Sequence, residues 1–262
     1  MKSQPVLIEV EDKTNNKVFG CSGLMLNKKY VITTANLFLC EDSQNIFEEL
    51  EPGKLYTNLF PNYNNTLNVV WNEDGLYVVK RPYIFAAFVS KNIKHSSKHI
   101  FQNWAIDSID NNKDLSKILS VFVVLNFVKM ESLESIKEIF SEWWDLSMSD
   151  NFNKGGSVYI RSVPFGNREF MDSVSQGIIS NIFGTNECFV LSDCPSTPGS
   201  EGSPVYLSNR IHSASCMDNS ILLNFHMYTK TMAGLTTRYT EPRGEIKRGG
   251  EKSSVDTNPL KI

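Results

Sequence analysis

Ser192-Asp193-Cys194-Pro195-Ser196-Thr197-Pro198-Gly199-Ser200-Glu201-Gly202-Ser203-Pro204-Val205-Tyr206 is the stretch on which the reading of this chain turns. Its flanks are β-prone: Phe189-Val190-Leu191 runs into it and Pro204 to Leu207 runs out of it. Between them, Pro198, Gly199 and Gly202 mark an irregular loop rather than a continued strand. An acid, Asp193, stands at the entrance, and another, Glu201, stands at the centre between Ser200 and Ser203.

Upstream, the same half of the chain keeps a β pattern. After Lys154-Gly155-Gly156, Ser157 to Val163 reads as a strand, Pro164-Phe165-Gly166 as a turn, and Ser173 to Asn181 as a further strand. From Glu131 to Met148 the period changes. Leu133, Ile136, Phe140, Trp143 and Trp144 share one helical face, which predicts an amphipathic helix linking two halves. Its acidic character favours packing on its own protein over a membrane surface, because surface helices are usually basic. Ile118 to Val128 is the strongest apolar run and predicts a buried barrel strand. Leu67–Trp71, Leu76–Lys80 and Ile84–Val89 read as strands, as do Pro5–Val10, Val18–Leu26 and Tyr30–Thr34. Cys40 to Tyr63 is polar and irregular, and Lys91 to Asp114 reads as a solvated loop. The latter carries His95 and His99; on a helix they would face one way and hold a metal, but nothing nearby supplies a third ligand. Ile221 to Tyr228 reads as one more strand. Beyond it the polar, Gly-rich composition predicts disorder over the last stretch.

Composition sets outer limits. The chain has 262 residues, 41% of them hydrophobic and 21% charged, with a net charge of −3. That is ordinary globular material for two modest domains or one large one. Its mild acidity argues against nucleic acid as a partner, and no apolar run approaches the ~20 residues of a membrane span. The N-terminus, Met1 to Val10, lacks the pattern of a secretory signal. Five cysteines, Cys21, Cys40, Cys188, Cys194 and Cys216, form no Cys-x-x-Cys pair. An odd count favours free, buried thiols in a reducing compartment. No metal or other cofactor is expected.

The central stretch resembles the nucleophile loop of trypsin-like serine proteases, written Pro-Gly-x-Ser-Gly-Gly-Pro with an Asp shortly before. Asp193, Pro198, Gly199, Gly202 and Pro204 match, and Glu201 takes the nucleophile's place. Cys21-Ser22-Gly23 and Tyr30-Val31-Ile32-Thr33-Thr34-Ala35 are similar to the opening hairpin of that family, where the next residue is the catalytic His; here it is Asn36. The position of the triad Asp falls on Ser120, or on Val121 one residue later. Pro164-Phe165-Gly166 with Ser173-Val174-Ser175-Gln176-Gly177-Ile178-Ile179-Ser180 resembles the second barrel of the HtrA-like branch. Taken together, Phe19 to Tyr206 resembles the decayed N-terminal half of the peroxisomal leader peptide-processing proteases, whose intact triad lies in a second half that follows.

The resemblance implies an all-β, trypsin-like double β-barrel. Residues 1–130 would form the first barrel, 131–150 the connecting helix, 151–235 a second barrel, either whole or incomplete beside the family's, and 236–262 a disordered tail. It implies a family of serine-type endopeptidases that trim peroxisomal matrix enzymes. It also implies a peroxisomal location, although the end Leu260-Lys261-Ile262 departs from the Ser-Lys-Leu address, which leaves the cytosol open. The implied partners are the family's catalytic half, in cis or in trans, or a second copy, together with peptides of peroxisomal enzymes. A stand-alone module that binds peptides by strand addition is the alternative.

The chemistry of the three triad-equivalent positions, Asn36, Ser120 and Glu201, is inert. Asparagine does not titrate near neutrality and cannot shuttle a proton. Ser200 and Ser203 flank Glu201 but are displaced by one and two positions from where an attacking hydroxyl belongs. A carboxylate is a weak nucleophile toward an amide. Gly199, Ser200 and Glu201 form the remnant oxyanion loop implied by the resemblance. There, backbone N–H groups near residues 199 and 201 would donate to Glu201's own carboxylate, which would fill the place as a substitute anion. The other reading places Glu201 in solvent.

Overall fold

The computed structural model describes residues 3–12, 17–35, 50–57, 66–100, 119–128, 153–207 and 221–223. Eight strands from the first half make one antiparallel sheet: β1 (Ser3–Asp12), β2 (Lys17–Leu26), β3 (Tyr30–Thr34), β4 (Leu55–Thr57), β5 (Thr66–Glu73), β6 (Leu76–Lys80), β7 (Tyr83–Val89) and β8 (Val121–Asn126). Their spatial order is β4-β7-β8-β3-β2-β1-β5-β6. Tight turns fix the register of two hairpins. Asn27 and Lys28 between β2 and β3, and Asp74-Gly75 between β5 and β6, all take positive φ, the geometry that matches the right-handed twist of paired strands.

This sheet rolls on itself. Trp71 of β5 and Phe127, just after β8, lie well apart in the strand order, yet their ring centroids are 5.7 Å apart. Lys80, on the far edge strand, places its ammonium over both rings. The enclosed core contains Val6, Ile8, Met25, Val31, Val69, Val123 and Leu125. All six residues of β8 are buried. Val121, Val123 and Leu125 face the rolled interior. On the other face, Phe122 packs with Leu119, Ile93 and Phe189, and Val124 packs with Tyr30 and Ala86. A strand covered on both sides explains the unbroken apolar run.

The second sheet holds β9 (Ser157–Ser162), β10 (Ser173–Phe183), β11 (Phe189–Ser192), β12 (Pro204–Leu207) and β13 (Ile221–Leu223). The order is β11-β10-β9-β12-β13. Val158, Ile160, Ile179, Cys194 and Val205 form its core. The fold is thus all-β, with the two-sheet, double-barrel layout expected.

The halves meet along a close seam. A Cβ on Gly20 would lie 2.9 Å from Gly166 Cα, so only two glycines allow these backbones to touch. Tyr206 of the second sheet packs with Leu24, Leu26 and Ile32 of the first, and stacks on Tyr159 at 4.9 Å. Arg168 donates to both carboxylate oxygens of Glu9 at 2.8 and 2.7 Å.

Two local expectations are corrected. Residues read as the start of a solvated loop form a helix, α1 (Lys91–Ile100). Ile93, Ser96 and Ser97 are buried on one face, and Ser90 Oγ accepts the Ile93 N–H at 3.4 Å as its cap. Two serines on the buried face hid the amphipathic pattern. Within the stretch read as irregular, Leu55–Thr57 pairs with β7 as the short edge strand β4. The expected helix over 131–148 and the tail over 236–262 lie outside the described residues.

Candidate functional site

The loop between β11 and β12 is built by glycines pressed against the first half. Gly199 has φ +90°, and a Cβ there would stand 2.3 Å from Gly166 N. Gly202 has φ +78°, and a Cβ there would stand 2.4 Å from the Ser22 carbonyl oxygen and 2.5 Å from Thr33 Oγ1. Both positions demand positive φ and no side chain.

Hydrogen bonds then fix the backbone. Ser22 Oγ donates to the Gly199 carbonyl at 2.7 Å and accepts the Val163 N–H at 2.9 Å, so one β2 hydroxyl ties the loop and β9's end together. Thr33 Oγ1 donates to the Ser22 carbonyl at 2.9 Å. The Phe165 N–H donates to the Pro198 carbonyl at 2.5 Å. Within the loop, Ser200 N–H reaches Thr197 O at 3.0 Å and Ser203 N–H reaches Ser200 O at 3.2 Å. At the entrance, Asp193 Oδ1 accepts the Ile178 N–H at 2.7 Å across to β10.

Glu201 turns its side chain back onto this frame. Its Oε2 accepts the Gly199 N–H at 2.7 Å. Burial nonetheless pushes its carboxyl above the usual range, outweighing the two backbone donors that pull it down. Cys21 of β2 feels the charge of the same carboxylate. Burial, with a smaller push from the Glu201 charge, raises its thiol to about 12, while the Thr33 contact lowers it. A thiol so held stays protonated and is no nucleophile.

The remaining predicted residues fall as follows. Gly199, Ser200 and Glu201 sit together in the loop. Ser200 is buried and its hydroxyl donates to Ser162 Oγ at 3.3 Å. Ser203 is buried, with a hydroxyl that meets no hydrogen-bond partner among the described residues. Ser120 is fully buried directly before β8, and its carbonyl accepts the Ser90 N–H at 2.8 Å at the head of α1. Asn36 follows Ala35, the last described residue after β3, and lies outside the described residues.

His95 and His99, the histidines among the described residues, do share a face of α1, with ring centroids 4.7 Å apart. No group of three or more metal-ligating side chains occurs among the described residues. Cys21, Cys188 and Cys194 are free thiols. Ser22 and Thr33 escaped the sequence reading as site residues. Their signal was only their place in the Cys21-Ser22-Gly23 and Thr33-Thr34 segments, whose loop contacts are 177 residues away in the case of Ser22 and Gly199.

Comparison with known proteins gives distant likenesses only. No family model matches, and no curated protein matches. Among solved structures, the active form of the Rv3671c protease from M. tuberculosis aligns at 10% identity and a TM-score of 0.37. The alignment covers 77% of this chain and 64% of that one, so this chain spans less than two thirds of that protein's length. A scabies mite inactivated protease paralogue aligns at 12% identity and a TM-score of 0.39, covering 78% of this chain and 77% of that one. Each is a likeness of overall shape and says nothing of chemistry.

Proposed function

We propose that this chain is a catalytically silent trypsin-like module that grips peptides or a partner and does not cut them. The observation that carries the reading is Glu201 Oε2 on the Gly199 N–H at 2.7 Å. Gly199 and Glu201 stand where such a loop offers its oxyanion donors, and a carboxylate fills the place of the acyl oxygen.

Hydrolysis by this fold needs a nucleophile, a base and those donors. Loss of either of the first two costs on the order of 10⁶ in turnover, or ~8 kcal/mol of barrier. In this chain Glu201 replaces the hydroxyl and Asn36 replaces the base. The resemblance of Phe19 to Tyr206 extends the proposal: a scaffold or regulator for the catalytic half of a peroxisomal leader peptide-processing protease, located in the peroxisomal matrix.

The test has two arms. Purified full-length chain is incubated with a fluorogenic peptide library, with Glu201→Ala as control, and no turnover above buffer is expected. Pull-down against the family's catalytic half is expected to give a stable pair. Turnover that Glu201→Ala abolishes overturns silence, and failure to pair overturns the scaffold role.

A further inference from the structure

The strand β6 ends one side of the first sheet and, among the described residues, pairs with β5 alone. Its turn fixes which way the backbone points. Asp74-Gly75 is a two-residue loop, so Glu73 and Leu76 close it as a hydrogen-bonded pair. The alternation of an antiparallel ladder then turns the N–H and C=O groups of Leu76, Val78 and Lys80 toward β5. Those of Tyr77 and Val79 point outward from the edge. Apolar side chains along this edge are open: Leu76 is 73% exposed, Tyr77 46% and Val79 45%. Natural sheets often guard such an edge with a lysine or a bulge. Lys80 is drawn away from it, with its ammonium 5.6 Å from the Trp71 ring and 5.8 Å from the Phe127 ring. The β5–β6 register runs without a bulge.

The two ends of the strand carry opposite charge. Asp74 is exposed at the turn and Arg81 is exposed just past Lys80, and neither makes an ion pair among the described residues. Glu73, by contrast, is held by Lys28. Two antiparallel copies of β6 bring the acidic end of each beside the basic end of the other. We infer that the β6 edge is an interaction surface for a second copy of this chain, the two joined about a two-fold axis at Val78 into one continuous antiparallel sheet. Tyr77 of each copy then stands opposite Val79 of the other, and each such pair exchanges N–H···O bonds. Val78 meets Val78, Leu76 lies opposite Lys80, and Asp74 comes within one residue of Arg81 at both ends.

Charge complementarity selects this occupant. A foreign strand would need its own acid and base at the matching spacing, whereas the two-fold axis supplies both from one sequence. Backbone bonds and the exposed apolar side chains supply the affinity. The end charges fix direction and register, because exposed ion pairs add little strength but disfavour wrong pairings. No residue of the Glu201 loop takes part, so the pairing does not rest on the chain being catalytically silent.

The test is sedimentation equilibrium of purified full-length chain from micromolar to hundred-micromolar concentration, with residue-resolved hydrogen exchange at both ends of the range. Expected is a mass that rises from 29.7 kDa toward twice that value. In step with it, exchange at the Tyr77 and Val79 amides should slow at least tenfold, while the Val78 amide, already bonded to β5, should change little. Val79→Lys puts a charge at the centre of the edge and should weaken association at least tenfold. Protection of Val78 in that variant reports that its hairpin is folded. Asp74→Asn and Arg81→Gln should each weaken association about fivefold, and the double variant no more than either alone. A monomer throughout overturns the inference. So does a dimer that leaves Tyr77 and Val79 exchange unchanged, that Val79→Lys does not weaken, or whose losses add in the double variant. Tyr77 and Val79 amides already protected in the dilute monomer would mean that the chain covers its own edge, which overturns it too. Peptide turnover by the purified chain would sink catalytic silence and leave this pairing untouched.

Discussion

Two opposed effects meet at Glu201: the burial of a charge and the pull of backbone N–H groups, that of Gly199 at 2.7 Å among them. The raised carboxyl shows that burial wins. Between the ordinary glutamate value of 4.5 and the raised one, the folded chain binds more protons than the unfolded chain. Stability from this group is therefore greatest at acid pH and falls as pH rises through that window. Glu201→Gln keeps the acceptor and removes the term. Its melting temperature should match the natural chain near pH 4.5 and exceed it at pH 7.5; a gap that shrinks with rising pH would contradict the assignment. Gly202 gives a second residue-scale expectation. Alanine there needs a positive φ and meets the Ser22 carbonyl, so Gly202→Ala should destabilise by about 2–4 kcal/mol in denaturant titration.

At the level of elements, single side chains from one segment complete another. Ser22 on β2 satisfies the buried Val163 N–H and holds the Gly199 carbonyl. Ser22→Ala should cost about 2–3 kcal/mol, because it strands a buried donor as well as losing a bond. Faster hydrogen exchange at the Val163 amide, beyond that at β5 amides, is the specific readout. The helix α1 offers a gentler case. Ser90→Ala removes the hydroxyl that caps Ile93 and should cost about 1 kcal/mol, seen as a lower denaturation midpoint with an unchanged slope.

For the molecule as a whole, the seam decides how the halves behave. Gly20 against Gly166, the Glu9–Arg168 pair and the Leu24–Ile32–Tyr206 cluster bind the two sheets through many small contacts. Calorimetry should accordingly show one cooperative transition, and two resolved transitions would mean that the sheets are independent. Residue pattern alone marked the strands that are strongly apolar, such as β3 and β8, because buried residues follow one another locally along the chain. It also marked the Pro198–Pro204 loop and the odd carboxylate within it, since turn residues and charge are local properties. It did not determine α1, whose buried face carries Ser96 and Ser97 where apolar residues would have signalled a helix. Nor did it place Ser22 and Thr33 beside Gly202, or decide between the inward and the solvent reading of Glu201. Those outcomes depend on which distant backbones come within van der Waals contact, and only the packing of one sheet against the other sets that.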